Sequence, residues 1–224
     1  MKNNETLQKD IQDAIKWEPL LHAAEIGVTV KDGVVTLTGN VDSYSKKSEA
    51  EDAAKSVAGV KAVVEKIEVK FKTNWSKKED SEIATQVLNA FSWNWQVPND
   101  KVKVKVEDGW VTLEGELNWN YQKEAAAKAV SNIIGVKSVS NNITIKSETE
   151  QQVEKKDIES ALRRNWSIDD KDITVKVSGH KVTLTGTVNS WYQKDEATHI
   201  TWNAPGVWSV DNELEIEYQH ALAE

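Results

Sequence analysis

Apolar residues along this chain change their spacing in the same order three times over. Leu7, Ile11, Ala14 and Ile15 fall at i, i+4, i+7 and i+8, the stripe of a helix with one buried side. Ile83, Val87, Ala90 and Phe91 repeat it, and Ile158, Ala161 and Leu162 give a shorter third version. The period then drops to two. Ile26, Val28 and Val30, then Val102, Val104 and Val106, then Ile173, Val175 and Val177 alternate with other residues, as in a strand with one face against a core. Asp32-Gly33 and Asp108-Gly109 follow, the pair favoured in a type I′ hairpin whose two central residues need positive φ. The third copy has Gly179-His180 and is expected to turn differently.

The returning strand alternates through Val35, Leu37, Gly39 and Val41. Gly39, Gly115 and Gly186 lie on its apolar face, and the absent side chain is expected to leave room for a packed helix. A second helix, roughly Lys46 to Ala58, carries Ala50, Ala53, Ala54 and Val57 on one side and is expected to stop at Gly59 through a left-handed cap. A last strand holds Val63, Ile67 and Val69, matched by Val139, Ile143 and Ile145 and by Val210, Leu214 and Ile216.

Shifting the sequence by 76 residues, and then by a further 71, superimposes the three segments without a gap. Identical in all three are Val28/Val104/Val175, Leu37/Leu113/Leu184, Gly39/Gly115/Gly186, Lys47/Lys123/Lys194, Ala50/Ala126/Ala197 and Gly59/Gly135/Gly206, among others. The chain therefore reads as an α+β protein of three tandem αββαβ modules, at 1–72, 78–147 and 152–219. Each is expected to be a three-stranded mixed sheet with two helices packed on one face. The linkers near Lys72–Lys78 and Lys146–Lys155 are polar and short. A unit of about 70 residues removes only around 60% of its unfolded surface from water, so contacts between modules are expected to add stability.

Composition narrows the function. Apolar residues are 39% of the chain and charged residues 29%, the balance of a folded globular protein. The formal charge of −8 is spread as −1 over 1–74, −2 over 75–150 and −5 over 151–224, which argues against nucleic acid as a partner. The absence of Cys excludes disulfides, thiolate chemistry and Cys-based zinc sites. The four histidines occupy non-equivalent positions of the repeat, with no metal-binding spacing and no Gly-rich phosphate loop. No catalytic residue, cofactor site or metal site is assigned, although a small cation held by backbone carbonyls would leave little trace in a sequence. The N-terminal residues Met1–Leu7 show no secretory signal, and no apolar run is long enough to cross a bilayer. The expected location is the cytoplasm if Met1 is the native start and the periplasm if a signal has been removed.

Ten Trp against two Phe and four Tyr is the unusual feature. Trp93 and Trp95 fall between the first helix and first strand of the second copy, with Trp17 and Trp166 in similar places, and Trp119, Trp191 and Tyr44 near the entry to the second helix. Such residues suit membrane interfaces, protein contacts and seams between small modules alike. Lys47, Lys123 and Lys194 recur where the second helix begins and where a cation opposes the helix dipole, which suggests either an anionic headgroup or undiverged duplication. Lys101, Lys103 and Lys105 alternate with valines, either a phosphate-attracting row or the solvated face of a sheet.

The stretch Val30-Lys31-Asp32-Gly33-Val34-Val35-Thr36-Leu37-Thr38-Gly39, with the later Val57-Ala58-Gly59-Val60-Lys61-Ala62-Val63, resembles the BON family of bacterial modules, as do Val106–Gly115 with Ile133–Val139 and Val177–Gly186 with Ala204–Val210. The resemblance implies an αββαβ fold, a non-enzymatic role, and phospholipid binding linked to envelope integrity and osmotic stress. Its glycines are implied to be fold positions rather than ligand contacts. The expected activity is peripheral binding to anionic phospholipid or a membrane surface through Lys101, Lys103, Lys105, Lys47, Lys123, Lys194, Trp93, Trp95, Trp119 and Trp191. The alternative is a protein–protein scaffold or self-associating stress protein that uses exposed Trp as interface anchors, as a homo-oligomer or with another protein.

Overall fold

The computed structural model describes residues 3–71, 78–146, 152–165, 168 and 172–217. The first module runs α1 (Asn4–Trp17), a short 3-10 turn (Ala23–Glu25), β1 (Ile26–Lys31), β2 (Val34–Val41), α2 (Tyr44–Ser56) and β3 (Ala62–Val69). The second runs α3 (Asp80–Trp93), β4 (Val102–Glu107), β5 (Trp110–Leu117), α4 (Asn120–Ser131) and β6 (Ser138–Ile145). The third runs α5 (Lys155–Arg164), β7 (Ile173–Ser178), β8 (Lys181–Val188), α6 (Trp191–Trp202) and β9 (Ser209–Ile216). Most of both linkers lies outside the described residues, as does Trp166.

Each module is a mixed α+β unit built on one three-stranded sheet, in the orders β1-β2-β3, β4-β5-β6 and β7-β8-β9. The hairpin strands pair antiparallel, while β6 runs parallel to β5 and β9 parallel to β8, so each second helix is the crossover that parallel pairing requires. In the second and third modules both helices pack on the sheet and against each other. The buried stripe Ile83, Val87, Phe91 meets Val111, Leu113, Ala126, Val130 and Ile143 in one core, and the third module repeats the pattern with Ile158, Leu162, Val182, Leu184, Ala197 and Leu214. The other sheet face is largely polar but carries exposed apolar residues, Val34 on β2, Val64 on β3 and Trp110 on β5.

The turns follow the chemistry of their residues. Asp32 and Gly33 have φ of 53° and 83°, Asp108 and Gly109 have 50° and 79°, as a type I′ hairpin requires. Gly179 alone carries positive φ in the third turn, at 61°, matching a type II′ turn with Gly first. The first helix of a module holds this turn in place. Asp80 at the start of α3 accepts from the N–H of Asp108 at 2.7 Å and of Gly109 at 2.9 Å, and Asn4 accepts from the Asp32 N–H at 3.0 Å. In the third module His180 instead stacks on Trp208 at 3.7 Å between ring centres, with its Nδ1 2.7 Å from the Gly206 carbonyl.

Two glycine assignments change. Gly39, Gly115 and Gly186 do not make room for a helix. A Cβ there would strike the backbone carbonyl of Glu25, Lys101 or Asp172, the residue just before the neighbouring edge strand. Their φ values of 137°, 150° and 123° are also closed to ordinary side chains. Gly59 and Gly135 are not helix caps, since α2 ends at Ser56 and α4 at Ser131. A Cβ on them would press on Leu7 at 3.3 Å and Ile83 at 2.9 Å, so here glycine does leave room for the first helix.

The chain gathers into two compact units, one of residues 1–39, 49–66 and 149–224, the other of 40–48 and 67–148. Within the first unit Lys55 lies in the field of both Asp52 on α2 and Asp195 on α6. Burial pushes both carboxyls above the usual carboxylate range despite the pull of Lys55. Burial also pulls Lys55 down, but its bond to Glu51 at 2.7 Å and the nearby aspartates leave it above the usual lysine range.

Two stability predictions follow from this packing. Gly115→Ala meets both a backbone clash and forbidden φ, and should cost about 2–4 kcal/mol in urea unfolding. Gly179→Ala, with nothing within 4 Å of the added methyl and only its φ against it, should cost about 1–2 kcal/mol. The raised carboxyls bind protons more tightly in the folded state, so they favour folding increasingly as pH falls from neutral through their folded pKa values. Asp52→Asn mimics the protonated form and should raise Tm at pH 7 by about 1–3 °C, with the gain gone near pH 4. A thermal melt series across this range checks the sign.

Candidate functional site

The link from first helix to first strand is built the same way in each module. The helix closes through the N–H of Glu18, Asn94 or Asn165, which donates to Ile15, Phe91 or Leu162. Three residues later a buried apolar side chain re-enters the core, at Leu21, Val97 or Ile168. Its N–H donates back to the capping residue's carbonyl at 3.1, 3.0 and 3.3 Å respectively. In the second module the Asn94 side chain also accepts from the Gln96 N–H at 3.1 Å. The far end of this loop is Lys101, whose carbonyl sits against Gly115. Its anchors are therefore internal to the module, and of the residues from Asn94 to Lys101 only Val97 is buried.

In the second module Trp93, which is the last residue of α3 and not part of the link between helix and strand, and Trp95 on the loop are 89% and 87% exposed. Trp17 in the first module is 83% exposed, with Leu20 beside it. Exposed indole on this scale contributes nothing to the core, and an apolar ring left in water is the ordinary sign of a contact surface. Leu88 on the outer side of α3 is exposed as well, and elsewhere in the second module so are Trp110, Trp119, Tyr121 and Ile134. The remaining outer positions of α3 after its first turn are Thr85, Gln86, Asn89 and Ser92, all uncharged. Thr85 and Ser92 donate their hydroxyls to Ser81 and Asn89 carbonyls of the same helix, at 2.8 and 2.7 Å.

The lysine row lies elsewhere. Lys103 and Lys105 project from β4 on the open face of the sheet, while Val102 is buried and Val104 and Val106 are half-buried on the other. They do not form the cationic strip that the alternation suggests. Lys105 pairs with Glu107 at 2.9 Å, Glu114 stands in register opposite Lys103, and Glu116 lies 3.8 Å from Lys146. Exposed pairs like these contribute little to stability, but they cancel the local field that would draw phosphates. Lys101 precedes the strand, at the base of the Trp loop.

Two of the three recurrent lysines bond to the backbone of their own module. Lys47 donates to the Ile67 carbonyl at 3.1 Å, and Lys194 to the Leu214 carbonyl at 2.7 Å, tying the second helix to the third strand. This gives the recurrence of Lys47 and Lys194 a structural account. Burial holds the Lys123 ammonium below the usual lysine range. Trp191 is half-buried with the Lys194 ammonium 5.6 Å from its ring centre, and Trp119 caps α4 with its ring partly covered. The ten residues proposed from sequence thus fall into three separate places, of which only the Trp93–Trp95 tip is strongly exposed and apolar. Sequence reasoning missed Leu88. The available signal was a stretch from Ile83 to Asn99 without a single charged residue, in a chain that is 29% charged.

Among the described residues no group of His, Asp and Glu could hold a metal ion, and no helix is long and apolar enough to cross a membrane. The chain is similar to the osmotically-inducible protein Y of Escherichia coli, with 32% identity over 121 residues; these are 53% of this chain and 60% of the relative. Solved structures of CdsD, a structural protein of the type III secretion system of Chlamydia trachomatis, and of its C-terminal domain are 17% and 18% identical. They cover 96% and 94% of this chain, and the alignments span 94% and 97% of theirs, at TM-scores of 0.25 and 0.26, too low to bear on fold or function. The model of the BON domain matches residues 3–70, 79–147 and 152–218, one match for each αββαβ module, and the chain belongs to the BON domain family.

Proposed function

We propose that this chain is a non-enzymatic binding protein that attaches peripherally to a phospholipid surface, in the setting of envelope or osmotic stress. The observation that carries the reading is the pair Trp93 and Trp95, at 89% and 87% exposure, one at the end of α3 and the other on a loop pinned at Val97. An indole at a bilayer surface keeps its N–H near water while its ring enters the acyl boundary. Taking about 100 Å² of each ring out of water contributes roughly 2–3 kcal/mol per Trp, so the pair alone supports reversible attachment. The similarity to an osmotically-inducible protein supports the stress setting.

The second reading is self-association or a protein partner, favoured by the presence of a comparable exposed pair, Trp17 and Leu20, in the first module. The two readings separate in one experiment. Co-sedimentation with phospholipid vesicles should carry the chain into the pellet, and Trp93→Ala with Trp95→Ala should cut the bound fraction at least about tenfold. No pelleting by the parent chain with any vesicle would sink the membrane reading. Concentration-dependent mass in sedimentation velocity without lipid would then put self-association in its place.

A further inference from the structure

We propose that the tip of the second module recognises loosely packed lipid, the gaps between headgroups in a curved or unsaturated bilayer, and that headgroup charge contributes little. This rests on the reading of the tip as the membrane contact. The argument is one of charge and shape. From Ile83 to Asn99 the chain carries no charged residue, and this stretch includes all three exposed apolar residues of the tip, Leu88, Trp93 and Trp95. A helix that binds anionic membranes presents Lys or Arg on its polar face and gains from each one near the surface. The corresponding face of α3 presents Thr85, Gln86, Asn89 and Ser92 instead, and the ammonium that reaches it, Lys78, donates to Gln86 at 2.6 Å, about two turns before Trp93. The Thr85 and Ser92 hydroxyls already donate to their own helix, which lowers the cost of taking them out of bulk water.

The charges that α3 does carry are acidic and at its other end. Asp80 and Glu82 lie in its first turn, about 16–20 Å along the axis from Trp93 at the rise of a regular helix. From Lys78 to Lys146 the module carries eight lysines against nine acidic residues, with Glu114, Glu107 and Glu116 beside Lys103, Lys105 and Lys146, and the chain as a whole is at −8. No coulombic attraction therefore compensates for the work of parting headgroups. Two indoles and a leucine enter where that work is already done, at packing gaps, and enter poorly elsewhere. The other modules differ at this place: Lys16 and Glu18 flank Trp17 in the first, and Arg163 and Arg164 end α5 in the third.

The test uses the full chain and phosphatidylcholine vesicles, small and unsaturated or large and saturated, with and without phosphatidylglycerol, at low and high salt. Binding should be at least about tenfold greater to the small unsaturated neutral vesicles, should not fall with salt, and should change less than about twofold on adding phosphatidylglycerol. Binding that requires phosphatidylglycerol and falls with salt at every vesicle size overturns this inference and leaves the membrane reading standing. Absence of binding to all vesicles removes both. Asn89→Lys with Ser92→Lys, both exposed, should create salt-sensitive binding to large anionic vesicles; a double variant that binds them no better than the parent also overturns the inference.

Discussion

One contact between backbones sets the geometry of each module. The carbonyl of the residue before the first strand lies so close to the second strand that only glycine fits, at Gly39, Gly115 and Gly186. In the second module that carbonyl belongs to Lys101, the last residue of the Trp loop. The contact thus ends the loop as well as opening the sheet. With Val97 buried midway and Asn94 closing the helix, the loop is held at three points within eight residues of sequence, from Asn94 to Lys101. The outward aim of Trp95 follows from those ties, and that of Trp93 from its place on the outer side of the last turn of α3.

Much of this was legible in the sequence because it is written in periodicity. The change from a stripe at i, i+4, i+8 to alternation located helices and strands, and Asp-Gly predicted two turns whose φ values are both positive. What escaped was whatever depends on a neighbour distant in sequence. Gly115 reads as a gap on an apolar face, but the atom it avoids is 14 positions earlier, on a chain segment with no distinguishing residue type. Lys47 and Lys194 read as misplaced cations at a helix start until the carbonyls of Ile67 and Leu214 appear beneath them. The row of Lys103 and Lys105 reads as positive because alternation shows one strand alone, and the acidic residues that offset it lie on its neighbours and at its own end. Periodicity reports the face on which a residue lies, never what lies opposite.

Three copies on one plan also show which positions the fold fixes and which it leaves free. The strand glycine and the lysine at the start of the second helix are identical in all three, and the loop anchor stays buried and apolar as Leu21, Val97 or Ile168, while the first-helix stripe varies and has Glu154 where Leu7 and Ile83 stand in the other copies. The hairpin contact varies as a set: where the first two copies put Gly33 and Gly109 beside Lys61 and Lys137, the third puts His180 on Trp208. The charge near the link from first helix to first strand differs from copy to copy, with Lys16 and Glu18 in the first, none from Ile83 to Asn99 in the second and Arg163 and Arg164 in the third, while the anchor behind it stays buried and apolar.

That independence has an evolutionary meaning. A loop tied down by its own cap, one buried anchor and a glycine two strands' ends away is a cassette, whose outward residues can be exchanged with little penalty to folding. Duplication of such a module yields spare tips as well as spare cores. Selection can then refine one tip while its siblings drift, so a tandem array of this kind acquires new surfaces faster than a single domain of the same length.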